Sequence, residues 1–579
     1  MLALVGFIED ELNEKNKLGY NFEHLEGNIN IYGQHHVMCI EDVNKSEVNI
    51  RHFDGLVIYL VGQIFKHKNK TICLDEFFEL VRQSVNSDIN SLLKSIDGYY
   101  SLVIFDTTNE ECYFITDRLG ISPLYLSEIN GGLSAWATSI KSLDDIVVES
   151  NVVDIEALRS FVDISHYLSD KTIYKNIKRL DPATILHIDK SGKVLSRLRY
   201  WTWADIQPIK FTFEQAVDRL YILFLQAVES RLDSTKKYCL TLSGGLDSRA
   251  LLGAISHLKK YDITCLTFGI PNSPDVKIAE QASQIVGVKH KVINIDKSNW
   301  INGRQKGVIS TGGMKSLFHM HVLNSLAEIE SISKYVINGY LGDLVLGGGY
   351  LKKGFHGFRS SETIAYDKFS HYADQIDFDE DYFKHPSSDP IFIYNRGVRF
   401  TSMGSDLVND RLVNIKPFVD NELLEFVYGL DDSYRVNGKL YHSMLVKYFP
   451  ELFLTLPWQA TGKCIVYKDK DSVINEFYTI IRPKLVKLIS ESSLNEIVRN
   501  VHSIIKNNKT FVDYGSWISE PDFKQNIDLL LSDDSCTVNL LGSKVVKKYV
   551  REAFEEQKIE ALGCLLSVES YLKAVNKSV

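Results

Sequence analysis

A short glycine-rich segment between a buried strand and a helix constrains the fold of this chain more than any other feature. Residues 238–242 read YCLTL, the segment Ser243-Gly-Gly-Leu-Asp-Ser248 follows, and an amphipathic run extends to Leu258. Glycines let a backbone approach an anion closely, serine hydroxyls add donors, and the amides at a helix start face negative charge. The pattern predicts a polyphosphate-binding loop. The structural alternative is a glycine-rich turn capped by Asp and Ser.

The composition of this loop also limits the reaction that it could serve. It has no lysine of the kind that a Walker P-loop brings to the terminal phosphates. Two glycines with serine hydroxyls and an aspartate suit cleavage between the α and β phosphates of a nucleotide. We therefore expect a loop that binds pyrophosphate.

The pattern of the chain after residue 200 predicts how this loop is supported. Amphipathic helical patterns alternate there with apolar strand patterns. Such alternation is typical of a doubly wound parallel sheet with ligands at the carboxyl ends of its strands. The predicted helices are 212–230, 248–258 and 275–286, and the predicted strands are 238–242, 263–268 and 291–295.

The first 190 residues contain short β-rich runs separated by turns, which predict a layered, sheet-rich domain. The fold class is therefore mixed α/β. We place the domain boundaries at 1–200 and 201–579, and we expect a charged helical tail from about residue 470 that includes 471–490. The predicted strands of the first domain are 2–7, 56–65, 99–105, 112–115 and 185–188.

Length and charge exclude several classes of protein. A chain of 579 residues exceeds one usual hydrophobic core, so two or more domains are expected. With 65 basic against 74 acidic residues and no basic block, no nucleic-acid partner is expected. No apolar run is long enough for a membrane span, and the N-terminus lacks the features of a secretion signal. The eight cysteines are scattered, so we expect reduced thiols in a cytoplasmic protein.

On the loop at 243–248 and the segments after it, the sequence resembles the asparagine-synthetase-like branch of the pyrophosphate-loop ATPases. The resemblance extends over most of residues 1–465 and implies ATP and Mg²⁺ as cofactors. The family's loop often ends in two serines, whereas Arg249 follows Ser248 here and could contact phosphate or form a salt bridge. The resemblance assigns the nucleotide to Ser243, Gly244, Gly245, Leu246, Asp247 and Ser248.

The segment 267–290 looks like the part of the family in which a strand end cradles adenine. In the family the contacts come from backbone groups, and the following helix packs behind them. The resemblance assigns these contacts to Thr267, Phe268 and Gly269.

A second block of the family matches residues 338–343, NGYLGD. The resemblance places Asn338 and Gly339 against the nucleotide, and Asp343 opposite Asp247 as the second carboxylate for Mg²⁺. Two carboxylates from separate loops suit a hard cation that also binds phosphate oxygens and water. Taken singly, either aspartate is more often a cap or a turn residue.

Two residues are candidates for the chemistry itself. Tyr340 occupies the position of a glutamate in asparagine synthetases. This resembles the β-lactam and carbapenam synthetases, in which a tyrosine acts with a glutamate to deprotonate the amine. No clear match to that glutamate occurs around 395–410. The segment 456–463 matches the position of a family lysine, here Lys463, which would stabilise charge at the α-phosphate. A packed tyrosine and an exposed loop lysine are the structural alternatives.

The N-terminal half resembles class II glutamine amidotransferase domains on the segments 96–106, 116–126 and 171–188, which implies an α+β sandwich. Those domains use the thiol of a cysteine that follows the initiator methionine, and its free amine is the base. The residue after Met here is Leu2. The family's Asn-Gly-Glu oxyanion element matches Val61-Gly-Gln63, which lacks the side-chain donor. The resemblance therefore implies a domain that does not hydrolyse glutamine and is retained as a scaffold or a substrate-docking surface.

These features together predict a ligase that adenylates a carboxylate, releases pyrophosphate, and joins the acyl group to an amine. In site layout the sequence is closest to the β-lactam synthetases and to the lasso-peptide macrolactam cyclases. A cyclase would imply a precursor peptide and a leader peptidase as partners, and the extra helical tail favours this larger substrate. One alternative is an amidotransferase that makes a carboxamide on aspartate or a sugar acid. Another is a non-catalytic, nucleotide-sensing interaction protein. The oligomeric state is left open.

Overall fold

A computed structural model describes residues 3–8, 27–32, 34–40, 48–129, 131–147, 151–351, 368–377, 381–465 and 511–575. The predicted mixed α/β class is confirmed. Two antiparallel sheets come first, a parallel sheet with helices follows, and a group of helices ends the described chain. The boundary between domains at residue 200 stays a prediction.

The first antiparallel sheet has the first described strand of the chain near its centre. In their order across the sheet the described strands are β11 (Ile177–Arg179), β9 (Tyr125–Ile129), β10 (Gly132–Ala137), β1 (Ala3–Ile8), β3 (His35–Ile40) and β2 (Gly27–Tyr32). Strand β1 pairs with β10 on one side and with β3 on the other. The residue that precedes β1, Leu2, lies outside the described residues.

The second antiparallel sheet is packed between other layers. In their order across the sheet the described strands are β13 (Val194–Arg199), β12 (Thr184–Ile188), β8 (Glu111–Thr116), β7 (Ile96–Asp106), β5 (Leu56–His67) and β4 (Val48–Phe53), with β6 (Lys70–Thr71) paired to β5. Strand β7 is buried along its whole length. Burial on both faces is expected for a strand that lies between two packed layers.

The third sheet is parallel and carries both predicted nucleotide loops. The described strands in order are β16 (Lys289–Asn294), β15 (Asp262–Gly269), β14 (Lys237–Thr241), β17 (Tyr335–Ile337) and β18 (Val413–Ile415). The loop at 243–248 follows β14, and the loop at 338–343 follows β17, the strand directly beside it. Since parallel strands end at the same edge of a sheet, the two loops meet there.

The three helices predicted around this sheet are present, and their ends lie within a few residues of the predicted limits. They are the fifth, sixth and seventh of the described α-helices. The fifth begins at a capping box in which Thr212 and Gln215 bond to each other's backbone amides. The described α-helices of four or more residues are α1 (Leu74–Ser84), α2 (Ile89–Ser95), α3 (Ile140–Ile146), α4 (Ile155–Ile164), α5 (Phe213–Glu229), α6 (Leu246–Leu258), α7 (Pro274–Val286), α8 (Arg304–Ser310), α9 (Leu326–Ile332), α10 (Gly342–Leu346), α11 (Asn421–Gly429), α12 (Lys439–Tyr448), α13 (Pro450–Phe453), α14 (Tyr514–Trp517), α15 (Pro521–Leu530), α16 (Cys536–Leu541), α17 (Ser543–Glu555) and α18 (Glu560–Ala574).

One helical segment, Ile393–Ser402, is wound with the wider π-helical turn. Such turns are rare and are frequent near functional sites. The segment is preceded by Pro390–Phe392 and followed by Met403–Ser405. No pattern in the sequence predicted it.

The final helices do not form a separate lobe, because α18 packs against α4 of the N-terminal half and against α8. Their apolar faces share one buried cluster with residues of both halves. The predicted helix at 471–490 lies outside the described residues. Within the described part of the chain, no helix is both long enough and apolar enough to cross a bilayer.

A buried network of charges joins the N-terminal half to the parallel-sheet half. Arg231 donates to Asp97 and to Asp420 at 2.8 Å each. Lys66 donates to the same Asp420 at 2.8 Å. All four side chains are almost completely shielded from solvent. Because an uncompensated buried charge is costly, this network fixes how the two halves are aligned.

Candidate nucleotide site

The loop at 243–248 is held in shape by its own serines. The Ser243 amide donates to Ser248 Oγ at 3.0 Å, and the two hydroxyls lie 3.1 Å apart. The Gly245 amide donates to Ser243 Oγ at 3.1 Å. Helix α6 starts directly after Gly245, and no side chain caps it. The first amides of the helix are therefore not capped by a side chain, and their contact with phosphate stays a prediction.

The two glycines of the loop have different roles. Gly245 borders the pocket described below, whereas Gly244 is buried and its amide donates to Asp275 Oδ1 at 2.8 Å. A Cβ atom on Gly244 would lie 2.8 Å from Cβ of Gln459 and 3.1 Å from Cδ1 of Ile278. Gly244 is thus needed for close packing behind the loop, and its phosphate contact stays a prediction.

Arg249 supports the loop from behind. Its Nε donates to the Gly245 carbonyl at 2.9 Å, another nitrogen donates to the Leu452 carbonyl at 3.1 Å, and the guanidinium stacks 4.9 Å from the ring centre of Phe453. Burial lowers its pKa to about 10. Arg249 does not line the pocket, and its hydrogen bonds go to backbone carbonyls. This arrangement differs from both the phosphate contact and the salt bridge that the sequence suggested.

The two predicted metal ligands come together where the loops meet. Asp247 Oδ2 accepts the backbone amide of Asp343 at 2.9 Å, and its Oδ1 accepts the Tyr441 hydroxyl at 3.0 Å. Burial, and next the charge of Asp343, raise the pKa of Asp247 to about 7. A divalent cation between the carboxylates would offset this repulsion, so the pair fits a magnesium site. Among the described residues, no cluster of three or more potential ligand side chains occurs.

Glycines allow this close approach of the second loop. A Cβ atom on Gly342 would lie 2.4 Å from Cγ of Asp247, and one on Gly339 would lie 2.9 Å from its Cβ. Neither distance is possible for a larger residue without moving the carboxylate. Beyond Asp343, Gly347 and Gly349 make room for its side chain in the same way.

A pocket with an empty volume of about 990 Å³ opens between the two loops. Of the residues predicted to bind the nucleotide, Gly269 and Asn338 do not line it, nor does Gly244. The lining consists of Thr241, Leu242, Ser243, Gly245, Leu246, Asp247, Ser248, Thr267, Phe268, Asp275, His321, Gly339, Gln459 and Phe511.

The residues predicted to hold adenine end strand β15 at one side of this pocket. The hydroxyl of Thr267 donates to the Leu242 carbonyl at 2.7 Å and lies 2.8 Å from Nε2 of His290. Phe268 lines the pocket. Gly269 lies just beyond it, and a Cβ atom there would be 3.0 Å from the carbonyl oxygen of Phe511.

Asn338 holds the second loop and does not reach the pocket. Its Oδ1 accepts the Tyr340 amide at 3.0 Å, and its Nδ2 donates to Asn414 and to Ser405. Gly339 alone among the first residues of this loop faces the nucleotide pocket. The loop is therefore a partition, with the nucleotide pocket on one side and Asn414 on the other.

Tyr340 lies on that second side. It is buried, and its hydroxyl donates to the Gly397 carbonyl at 3.1 Å. Burial raises its pKa well above the usual value, while a hydrogen bond with Ser402 lowers it. Ser402 Oγ in turn donates to Asp406 at 2.5 Å. The Tyr340 and Ser402 hydroxyls thus lie close together, but their protons go to the Gly397 carbonyl and to Asp406. Its role as a base stays a prediction.

Lys463 is exposed at the end of a tight turn whose ends pair at Trp458 and Lys463. The same turn places Gln459 in the wall of the pocket. The Gln459 amide donates to the Gly244 carbonyl at 3.3 Å, and this bond attaches the turn to the first loop. Lys463 itself does not line the pocket. Its contact with the α-phosphate stays a prediction.

A second cavity, with an empty volume of about 1130 Å³, lies between the two halves of the chain. The segment Val61-Gly-Gln63, which matches the oxyanion element of amidotransferases, forms part of its wall. The Gln63 side chain donates to the Asn414 carbonyl at 3.2 Å. The wall also includes Lys416, which is paired with Asp406 at 2.5 Å and lies 5.1 Å from the ring centre of Tyr340. The wall of the cavity thus combines charged and polar groups with apolar ones, and the cavity adjoins the Tyr340 side of the partition.

Several pocket residues were not predicted from the sequence. Tyr441 and Gln459 reach the loop from distant segments, and His321 and Phe511 close one end of the pocket. Asp275 and Gln459 lie in the segments 267–290 and 456–463 that resemble the family, but they were not assigned to the site. Tyr441, His321 and Phe511 lie in none of the matched segments, so only their long-range contacts reveal them.

Comparisons with known proteins agree with both halves of this description. A glutamine amidotransferase domain family matches residues 77–201, and an asparagine synthase family matches residues 219–377. Glutamine-hydrolysing asparagine synthetases from Mus musculus and Homo sapiens are 21% identical to the chain over 350 and 349 residues. Each alignment covers 55% of this chain and 57% of the relative, so the chain spans just over half the length of these curated relatives.

Solved structures give weaker similarities. A glutamine phosphoribosylpyrophosphate amidotransferase from B. subtilis, complexed with ADP and GMP, is 10% identical with a TM-score of 0.21, over 50% of this chain and 75% of that one. A U34-tRNA thiolase from Methanococcus maripaludis, with its [4Fe-4S] cluster, is 11% identical with a TM-score of 0.21, over 51% and 81%. Scores this low support no inference.

Proposed function

We propose that this asparagine-synthetase-like chain is an ATP-dependent, AMP-forming amide synthetase. The observation that carries the proposal is the meeting of two loops at Asp247, which accepts the backbone amide of Asp343 at 2.9 Å. It brings an uncapped helix start, two serine hydroxyls and the Asp247 carboxylate to one pocket, with Asp343 directly behind Asp247. This donor set suits a nucleotide whose pyrophosphate leaves with a divalent cation.

The residues divide the work of adenylation between them. The amides that begin helix α6 and the hydroxyls of Ser243 and Ser248 would bind the pyrophosphate. Asp247 and Asp343 would hold Mg²⁺, which supplies positive charge against the leaving group. Lys463, exposed on the turn beside the pocket, would reach the α-phosphate and stabilise negative charge there.

The amine side of the reaction is proposed to lie across the partition, in the cavity between the two halves. Tyr340 lies on that side, and the nearby Ser402 donates to Asp406. A tyrosine needs a partner to act as a base near neutral pH, because its usual pKa is about 10. If the Tyr340 hydroxyl turned from the Gly397 carbonyl to Ser402, its proton would have a path to the Asp406 carboxylate, and Asp406 lies in the range 395–410 where sequence matching found no partner.

The carboxylate and the amine are proposed to belong to a peptide or to one small molecule, as in a macrolactam cyclase or a β-lactam synthetase. The cavity beside Tyr340, whose wall mixes polar and apolar groups, is proposed to receive an amine larger than ammonia. A cyclase would work with a precursor peptide and a leader peptidase. A cytoplasmic location would suit its dependence on ATP.

A second candidate, formation of a carboxamide on aspartate or a sugar acid, is favoured by the curated relatives, which are asparagine synthetases. The two candidates differ in the nitrogen that enters the product. Incubation with aspartate, ATP and ¹⁵N-labelled ammonia gives labelled asparagine only under the second.

The test of the common proposal is the identity of the nucleotide products. With a carboxylate substrate and Mg²⁺, ATP should yield AMP and pyrophosphate in equal amounts, and pyrophosphate should exchange into ATP. Asp343→Asn should abolish both without changing the circular dichroism spectrum. Stoichiometric ADP and phosphate would overturn the proposal.

A further inference from the structure

The last described segment of the chain reaches the end of the nucleotide pocket. The Ile270 amide donates to the Phe511 carbonyl at 2.8 Å, directly after strand β15. Gly269 permits this contact, because a Cβ atom there would lie only 3.0 Å from the same carbonyl oxygen. Phe511 lies well outside the region that matches the asparagine synthase family, which ends at residue 377. This end of the pocket is therefore built partly by a part of the chain that the family match does not cover.

Three rings form the wall at this end, contributed by Phe268, His321 and Phe511. The centres of the His321 and Phe511 rings are 5.1 Å apart with the planes at 80°. The centres of the Phe268 and His321 rings are 6.2 Å apart. An aromatic wall with one polar ring suits a flat heterocycle that offers hydrogen-bonding groups at its edge.

A hydrogen-bond chain behind the wall fixes the tautomer of His321. Arg304 donates to the Tyr514 hydroxyl oxygen at 2.6 Å, and that hydroxyl lies 2.7 Å from Nδ1 of His321. Arginine can only donate, so it occupies the oxygen as an acceptor and leaves the hydroxyl proton to point to Nδ1. Nδ1 is then an acceptor, and Nε2 carries the proton.

The imidazole is also kept neutral. Burial, and next the charge of Arg304, hold the pKa of His321 well below its usual value. A neutral ring with its proton on Nε2 presents one N–H donor. It therefore selects an acceptor as its partner, and a ring nitrogen of a purine is such an acceptor.

We propose that His321, with its Nε2 proton fixed by Tyr514 and Arg304, recognises the adenine of ATP by donating to one of the base's ring nitrogens. Phe268 and Phe511 supply the apolar surface for the base, so the C-terminal segment takes part in nucleotide specificity. The inference rests on the proposed function, since it takes the ligand of the pocket to be ATP.

The experiment compares the binding of ATP with that of 1-deaza-ATP, 3-deaza-ATP and 7-deaza-ATP, each with Mg²⁺, by isothermal titration calorimetry on the full chain. In the wild-type protein, one of the three analogues should bind about threefold to tenfold more weakly than ATP, as expected for one lost hydrogen bond. In His321→Phe that same analogue should bind as well as ATP. His321→Gln retains an N–H donor and should keep part of the discrimination.

A matched control is His319→Phe, because His319 is a nearby histidine that bonds to Glu560 and does not line the pocket. It should discriminate among the analogues as the wild type does. Tyr514→Phe should lose part of the discrimination, since it frees the tautomer of His321. The inference is overturned if the ratio for every analogue is the same in wild type and His321→Phe.

The titrations, together with the pyrophosphate-exchange assay, separate this inference from the proposed function. Discrimination that depends on His321, together with no pyrophosphate exchange, would support the recognition of adenine and contradict the synthetase. Pyrophosphate exchange, together with analogue discrimination that does not depend on His321, would support the synthetase and contradict the recognition of adenine by His321.

Discussion

Replacing Asp247 with asparagine should stabilise the metal-free protein while abolishing its response to Mg²⁺ and ATP. Burial, with the charge of Asp343, raises the pKa of Asp247 to about 7. The unfolded chain has a value of about 3.9, so the ionised carboxylate destabilises the folded state at neutral pH. Such a cost is expected at a ligand site, where the bound cation offsets it.

The magnitude follows from the size of the shift. A shift of about three pKa units, at roughly 1.36 kcal/mol each, limits the destabilisation by the ionised Asp247 to about 4 kcal/mol. Because solvent reaches this side chain in part, we expect a destabilisation of about 2 kcal/mol. Because the folded-state pKa is the higher one, the destabilisation is absent below about pH 4, grows between about pH 4 and pH 7, and is complete above about pH 7. The gain from Asp247→Asn should therefore be clearly larger at about pH 8 than at about pH 5.

The assay is thermal unfolding in EDTA at these two pH values, followed by the same measurement with Mg²⁺ and ATP. The variant should melt a few degrees above the wild type at the higher pH and should show no added stabilisation by the nucleotide. Its hydrogen bonds can be kept, because the Tyr441 hydroxyl can either donate or accept. A variant that melts at or below the wild-type temperature at the higher pH would refute the reasoning.

The remaining predictions concern four other positions. Asp420→Asn should lower the free energy of unfolding by roughly 3–5 kcal/mol, because it removes the carboxylate that two buried cations share. This effect is opposite in sign to that of Asp247→Asn, and denaturant unfolding measures it. Tyr340→Phe should retain pyrophosphate exchange and slow amide formation by about 10²–10⁴-fold, and a normal rate of amide formation would make Tyr340 a packing residue. Lys463→Met should slow both adenylation and amide formation. Separate assays of pyrophosphate exchange and of amide product would show this. Purified protein should release no glutamate from glutamine, since Val61 offers no side-chain donor in the place of the oxyanion asparagine; measurable release would contradict this.

The loop between strand β14 and helix α6 could be predicted because its determinants are local. An apolar run, two glycines and an amphipathic pattern follow one another directly between residues 238 and 258. The same holds for helices α5 and α7, whose observed limits, Phe213–Glu229 and Pro274–Val286, lie within one residue of the predicted ends. The identity of the second loop, in contrast, came from its resemblance to a family.

The environment of the candidate base could not be predicted. Tyr340 was recognised by its position in the second loop, but the sequence does not indicate that Ser402 and Asp406 would approach it. Those residues belong to the π-helical segment Ile393–Ser402 and to the turn after it. Their approach depends on the way that this segment packs on the loop, for which no local pattern exists.

By itself the sequence determined the strand and helices around the first loop and the donor groups of that loop, because periodicity and turn chemistry act over a few residues. Only the tertiary structure decided that Gly244 faces inward and that Arg249 supports the loop from behind. It also decided that Phe511 closes the pocket. These outcomes depend on contacts between residues that are far apart in the chain, and such contacts are set by the packing of the whole chain around its sheets.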